Sequence, residues 1–95
     1  MYARITTYQA NPDRMDDMVA KIDEIKAQIK ALAGVISSYT VWRSDGQGVT
    51  TAIYENQAAA EAASEQVKVI WGGMAEFLTA APSVEAYDNA VDLMG

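Results

Sequence analysis

The feature that most constrains the fold is an apolar stripe of helical spacing between two segments of strand character. Apolar side chains recur at steps of three and four residues, which is the period of one face of an α-helix. Asn11-Pro12-Asp13 predicts the helix start, because Asn caps free amides and Pro suits the first turn. Gly34 is predicted to end the helix in a left-handed conformation. The stripe consists of Met15, Met18, Val19, Ile22, Ile25, Ile29 and Leu32.

Segments rich in β-branched and aromatic residues predict four strands. A second helix from Gln57 to Ala81 is indicated by its alanine and glutamate content, and Gly72-Gly73 is expected to kink or break it. The short turn at residues 44–48 makes strands two and three an antiparallel hairpin. The order β-α-β-β-α-β predicts an α+β, ferredoxin-like sandwich with both helices on one face of an antiparallel sheet. The predicted strands are Tyr2 to Gln9, Val35 to Arg43, Val49 to Glu55 and Ser83 to Asp88.

The second strand carries apolar side chains on both of its faces. Simple alternation places Val35, Tyr39 and Val41 on one side and Ile36 and Trp42 on the other. A sheet with one wet face should instead be apolar on one side and polar on the other. We therefore predict that the open sheet face is covered by a second copy of the chain, the alternative being an exposed face with scattered apolar residues.

The terminal segment, Asn89 to Gly95, is apolar enough that we expect it to dock on another surface. Ninety-five residues are expected to form a single domain, residues 1–95. The first five residues have strand character rather than the pattern of a charged and then apolar leader. The apolar runs are also far shorter than the roughly 20 residues of a bilayer span. We therefore expect a cytoplasmic protein with no membrane partner.

The composition limits the chemistry. The chain contains no histidine and no cysteine, which excludes a Ser-His-Asp triad, a cysteine nucleophile, a tetrahedral zinc site and histidine-ligated haem. Asp45-Gly46 has the character of a turn rather than of a calcium loop. We expect neither a metal nor a cofactor. The net charge of −6 argues against nucleic acid and anionic membranes as partners.

Three segments together resemble the dimeric α+β barrel superfamily, and most closely its antibiotic biosynthesis monooxygenase-like branch. They are YARITTYQANPDRMDDMVAKI, ALAGVISSYTVWRS and TTAIYENQAAAEAASEQ. The resemblance covers nearly the whole chain and is one of pattern and length rather than of an invariant signature. It implies two subunits whose sheets face each other, each with a pocket between its own sheet and helices. Members include cofactor-independent monooxygenases of aromatic polyketides, haem-degrading enzymes and quinol oxygenases.

The resemblance also suggests where a site would lie. Haem-degrading members use an Asn on strand one, a Trp ending strand three and a His on helix two, where this chain has Thr6, Tyr54 and Ser64. Haem degradation by that route is therefore not expected. In cofactor-free members the deprotonated substrate supplies electrons to oxygen, and pocket groups bind and orient it. By analogy, the substrate-binding residues here are Thr6, Tyr8, Tyr54, Ser64 and Trp71.

Two of these residues also have a structural interpretation. Trp71 lies at helical spacing from Met74 and Phe77, so packing in the core is the simpler interpretation and stacking on a flat ligand is the functional one. Tyr54 ends a strand, where a tyrosine hydroxyl ordinarily points to solvent.

Arg4 is an additional candidate, because it shares one side of the first strand with Tyr2, Thr6 and Tyr8. An arginine among aromatic residues can bind an anionic ligand or stack on a ring. The favoured interpretation is an ion pair with an acidic neighbour, given the acidic balance of the chain. The candidate partners are Glu55, Glu85 and Asp88.

These observations predict a small homodimeric pocket protein, with a cofactor-independent monooxygenase of an aromatic or polyketide-like molecule as the functional hypothesis. The alternative is a non-catalytic ligand-binding or structural dimer. Oligonucleotide binding on the sheet is disfavoured by the charge. An enclosed cavity of a few hundred Å³ with convergent polar groups would favour the enzyme, whereas a gap filled by side chains would favour the structural dimer.

Overall fold

The computed structural model describes residues 1–95 and has the predicted order of elements. The four strands form one sheet in the order β2-β3-β1-β4, and every neighbouring pair is antiparallel. This confirms the ferredoxin-like fold class. Neither helix combines the length and apolarity that crossing a bilayer requires. The elements are β1 (Tyr2–Gln9), α1 (Met15–Lys30), β2 (Val35–Trp42), β3 (Gln47–Tyr54), α2 (Gln57–Met74) and β4 (Ser83–Tyr87).

Asn11 and Gly34 have the conformations predicted for the two ends of helix α1, but the α-helix itself is shorter than the sequence indicated. The Asn11 side chain accepts a hydrogen bond from the amide of Asp13 at 2.9 Å. Residues Pro12–Arg14 then form one turn of 3₁₀ helix before the α-helix starts. The helix ends at Lys30, and Gly34 adopts a φ of +81° four residues later, where the chain enters β2.

Helix α2 runs without interruption through Gly72-Gly73 to Met74. The predicted break into two helices is therefore wrong, and so is the predicted end at Ala81. The buried side chains of Ile70 and Met74 flank the two glycines. Their packing outweighs the helix-propensity cost of glycine, which is about 1 kcal/mol per residue. A 3₁₀ turn that buries Phe77 follows the helix.

The strand register defines which side chains face the helices. On the helix side, Tyr2 pairs with Tyr54 and Tyr8 pairs with Gly48. An irregularity between Val35 and Ser37 shifts the register of β2. Val35 consequently lies opposite Tyr54, on the helix side, and the simple alternation predicted for β2 is wrong at this position.

The outer face of the sheet is covered by neither helix. Tyr39 and Val41 lie on this face and are 72% and 63% exposed, and their strand partners are Thr51 and Val49. The terminal segment is also unprotected: Val91, Leu93 and Met94 are all exposed. The predicted docking of this segment does not occur within the chain.

Substitutions of Gly46, in the turn between β2 and β3, and of Gly72, in α2, are expected to change stability in opposite directions. Gly46 has a φ of +92°, and a Cβ there would lie 2.1 Å from the carbonyl oxygen of Ala10. Gly46→Ala should therefore lower the free energy of unfolding by about 2 kcal/mol or more. Gly72→Ala adds a methyl group in open space on a helix and should raise it by about 1 kcal/mol. Urea denaturation measures both, and changes of the same sign would contradict the assignment.

Candidate functional site

The buried core is divided into two clusters, one at each end of β1. One cluster includes Tyr2 and the other includes Tyr8. These two tyrosines are about 20 Å apart along the extended strand β1. Between them the helix side of β1 carries Arg4 and Thr6. The first cluster is Tyr2, Leu32, Tyr54, Ala60 and Ala63, and the second is Tyr8, Ala10, Met18, Met74 and Phe77.

The space between the two clusters is open. A central cavity of about 400 Å³ lies between the sheet and both helices. An edge cavity of about 530 Å³ adjoins it between α1, α2 and β2. Trp71 and Thr50 are among the residues that line both cavities. Each volume is in the range of small-molecule sites in proteins.

The structure brings four of the five predicted site residues into the central cavity: Thr6, Tyr54, Ser64 and Trp71. Tyr8 lines the edge cavity instead, and its ring centroid lies 5.6 Å from that of Trp71. Trp71 is half-buried and forms a wall of both cavities, whereas its helical neighbours Met74 and Phe77 are buried. The core interpretation therefore fits those two neighbours better than it fits Trp71.

Tyr54 presents its hydroxyl to the central cavity rather than to bulk solvent. Only 2% of the residue is exposed, yet its hydroxyl forms no hydrogen bond within the chain, and no fully buried polar side-chain atom lacks a partner. The oxygen must therefore reach the open space that the residue lines. Burial raises the pKa of the Tyr54 phenol, and the nearby Arg4 guanidinium partly offsets this increase. At neutral pH this phenol is a hydrogen-bond donor and not a base.

Tyr8 has no such free hydroxyl. Its oxygen is 2.7 Å from the Thr40 hydroxyl, which also accepts a hydrogen bond from Thr50 at 3.0 Å. The Tyr8 ring lies over Gly48, where a Cβ would be 2.3 Å from its Cζ atom. Tyr8 therefore supplies an aromatic surface to the edge cavity, and the polar end of its side chain is held by the sheet.

Arg4 differs from its predicted role. It forms none of the ion pairs in the structure, so the predicted pair with an acidic neighbour is wrong. Its guanidinium carbon instead lies 5.9 Å from the centroid of the Tyr2 ring, and the residue lines the central cavity. The candidate acidic partner on β4, Glu85, pairs with Ile5 and therefore lies on the outer face of the sheet.

Sequence reasoning missed Thr50, Lys68 and Ser38, which also line the central cavity. Thr50 pairs directly with Thr6, so the hairpin register would have indicated it. Lys68 lies four residues after Ser64, which places both on one helix face. Ser38 follows the irregularity in β2, and no sequence pattern marks that shift.

Comparisons with solved structures identify the fold. A candidate antibiotic biosynthesis monooxygenase from Caulobacter crescentus is 15% identical, with a TM-score of 0.80 over 95% of this chain and 90% of that one. A second structure, of an antibiotic biosynthesis monooxygenase, is 14% identical, with a TM-score of 0.77 over 96% and 100% of the two chains. A third, from Bacteroides thetaiotaomicron, carries the same family name as a candidate and is 22% identical, with a TM-score of 0.67 over 97% and 89%.

The similarity is one of fold. No protein-family model matches the sequence, and the comparison with curated proteins gives no match. The chain nevertheless has the fold of the antibiotic biosynthesis monooxygenase-like proteins over nearly its whole length. This confirms at the level of fold the resemblance on which the expected pocket was based.

An alkaline absorbance titration tests the position of the Tyr54 hydroxyl. We expect Tyr54→Phe to remove a phenol that ionises above the usual pKa of about 10, because burial disfavours the phenolate. Arg4→Met should shift this phenol to still higher pH, since the guanidinium favours the phenolate. Tyr87→Phe is the control, because it removes a different phenol whose pKa is raised by a hydrogen bond to Glu85.

The raised pKa of the Tyr54 phenol also affects the stability of the fold. A phenol whose pKa is higher in the folded state contributes stability below about pH 10 that is lost as the pH rises through the folded-state pKa. Tyr54→Phe should therefore make the free energy of unfolding less sensitive to pH above about 10. Loss of a phenol that ionises at or below about pH 10 in Tyr54→Phe would contradict the burial of this group.

Proposed function

We propose that this chain is a homodimeric, cofactor-independent monooxygenase that oxidises an aromatic or polyketide-like small molecule in the central cavity. The observation that carries this proposal is the open space between the two core clusters, with Trp71 as a flat wall and the Tyr54 and Thr6 hydroxyls free. A gap filled by side chains would have favoured a purely structural role. The fold shared with proteins named as monooxygenases supports the same conclusion.

The proposed reaction balances without a reductant. A methylene group beside a carbonyl loses a proton to give an enolate, which transfers one electron to O₂. The two radicals combine to a peroxide, which loses water and leaves a ketone, so that CH₂ + O₂ gives C=O + H₂O. The carbon loses four electrons and the oxygen molecule gains four, which is why the substrate itself suffices as the electron source.

The residues of the cavity fit a binding and orienting role in that reaction. Trp71 stacks on the flat ring system, and the neutral Tyr54 phenol donates a hydrogen bond to the enolate oxygen. A hydrogen bond to a charged group contributes about 1.5–3 kcal/mol. No carboxylate lines the cavity, so deprotonation depends on the acidity of the substrate rather than on a strong base.

The proposed dimer joins the outer faces of two sheets. Tyr39, Val41 and Val49 would then be buried, and an obligate interface of this kind should exceed about 2,000 Å² in total. The alternative function, a non-catalytic ligand-binding or structural dimer, has the same assembly and lacks the oxidation. Assembly and activity therefore need separate tests.

Val41→Glu is expected to disrupt the dimer, because it places a charge on the exposed apolar part of the outer sheet face that the proposed interface buries. Val69→Glu is the matched control, since Val69 is 73% exposed on α2, away from the sheet. Light scattering should give twice the chain mass of 10.3 kDa for the native protein and for the control. A native protein that remains a monomer at micromolar concentration would overturn the proposed assembly.

Anthrone, a tricyclic ketone with one acidic methylene group, tests the proposed activity. In a Trp42→Phe background Trp71 is the only tryptophan, so ligand binding should change its fluorescence. We expect one O₂ consumed per anthrone converted to anthraquinone. Tyr54→Phe should lower the rate about tenfold or more, as expected for the loss of one hydrogen bond to a charged oxygen.

The controls separate the two functions. Trp71→Ala should weaken binding, whereas Val69→Ala, on the exposed side of the same helix, should change neither binding nor oxygen uptake. Binding without oxygen uptake would support the non-catalytic ligand-binding dimer. Absence of both would leave only the structural role.

A further inference from the structure

The charged residues around the two cavities are all basic, although the chain has a net charge of −6. Of the seven basic residues, Arg4 and Lys68 line the central cavity and Lys26 and Lys30 line the edge cavity. None of the 13 acidic residues lines either cavity. The charged residues that line the cavities are therefore basic in an otherwise acidic protein, although Lys26 is paired with Asp23.

Arg4 is the most buried of the basic residues in the central cavity and has no counter-charge. It is half-buried, whereas Lys68 is exposed. Ile29 of α1 and Val84 of β4 face the same space, and β3 contributes the neutral Tyr54. A cation in a poorly hydrated site is costly unless an anion or hydrogen-bond acceptors compensate it. The Tyr2 ring provides only part of that compensation.

Three of the seven basic residues, Arg4, Lys30 and Lys68, have no polar partner within the chain, and of these only Arg4 is not exposed. Arg14, Lys21 and Lys26 each form an ion pair with a carboxylate of the same helical region. Arg43 donates a hydrogen bond to Gln47. Arg4 is thus left unpaired in a chain with an excess of acidic groups, and it is unpaired at the wall of a cavity.

We infer that the central cavity binds its ligand as an anion, namely a flat aromatic phenolate, enolate or carboxylate, with Arg4 as the counter-charge. This inference rests on the proposed function, in which the substrate reacts as an enolate in this cavity, and it assigns the counter-charge of the bound anion to Arg4. The guanidinium stabilises the anion, and the proton of the ligand passes to water. Arg4 thereby acidifies the bound ligand in a cavity that contains no base.

A pair of coumarins tests the charge state directly. The ionised and neutral forms of 7-hydroxycoumarin differ in absorbance, so the pKa of the bound dye can be measured. We expect this pKa to fall by about one unit or more on binding, as an opposite charge within a few ångströms produces. 7-Methoxycoumarin has nearly the same shape and cannot ionise, and it should bind at least about tenfold more weakly at a pH above the pKa of the free dye, where the full effect of a one-unit shift is expressed.

Two arginine substitutions complete the experiment. Arg4→Met removes the guanidinium and leaves an unbranched, apolar side chain in its place. It should return the pKa of the bound dye to its free value or above. Arg43→Met removes the same charge at the exposed hairpin, outside both cavities, and should leave the shift intact. Lys68→Met should have a smaller effect than Arg4→Met, because Lys68 is exposed.

The outcomes distinguish this inference from the proposed function. Binding of both coumarins with an unchanged or raised pKa would overturn the anionic ligand and leave the ligand cavity in place. A shift that survives Arg4→Met would overturn the role of Arg4. Binding of neither coumarin, in a protein whose circular dichroism is native, would count against the cavity as a ligand site and therefore against both proposals.

Discussion

The helix-facing side of β1 is the constraint on which the site depends. Each end of this strand carries a tyrosine that anchors one core cluster, and the middle carries Arg4 and Thr6. Polar side chains at the middle of a strand cannot be packed against apolar helices without losing their hydration. The two helices are therefore supported at the ends of β1 and stand away from its centre, where the cavity lies.

This arrangement leaves the chain with little core for its size. Only 15 of 95 residues are buried, and a domain of this length buries a smaller fraction of its unfolded surface than a larger domain does. The cavity and the outer sheet face are the two places where further burial is available. A ligand or a second copy that binds only the folded chain would stabilise it by mass action, so function and stability are coupled in the proposed assembly.

Sequence patterns were sufficient to predict the helices and strands and their order, but not the continuity of α2, the strand register at Val35 or the contacts of Arg4. The spacing of apolar residues identified the first helix, alanine and glutamate content identified the second, and strand composition identified all four strands. The continuity of α2 through Gly72-Gly73 depends on the burial of Ile70 and Met74 against the rest of the fold. Helix propensity is a local property and does not include this packing. The shift at Val35 is a local irregularity of pairing. The unpaired state of Arg4 depends on where the fold places the acidic side chains, for instance Glu85 on the opposite face of the sheet, which neither the helical nor the strand period encodes.

The electrostatics of the cavity connect binding with chemistry. Low hydration raises the pKa of Tyr54, which makes this phenol a donor and prevents it from acting as a base near neutral pH. The partial burial of Arg4 likewise strengthens its attraction to an anion in the cavity. A ligand that can release its own proton gains both interactions, whereas a ligand that stays neutral gains only the hydrogen bond. In the proposed reaction, selectivity for an acidic substrate and formation of its enolate therefore depend on the same unpaired guanidinium.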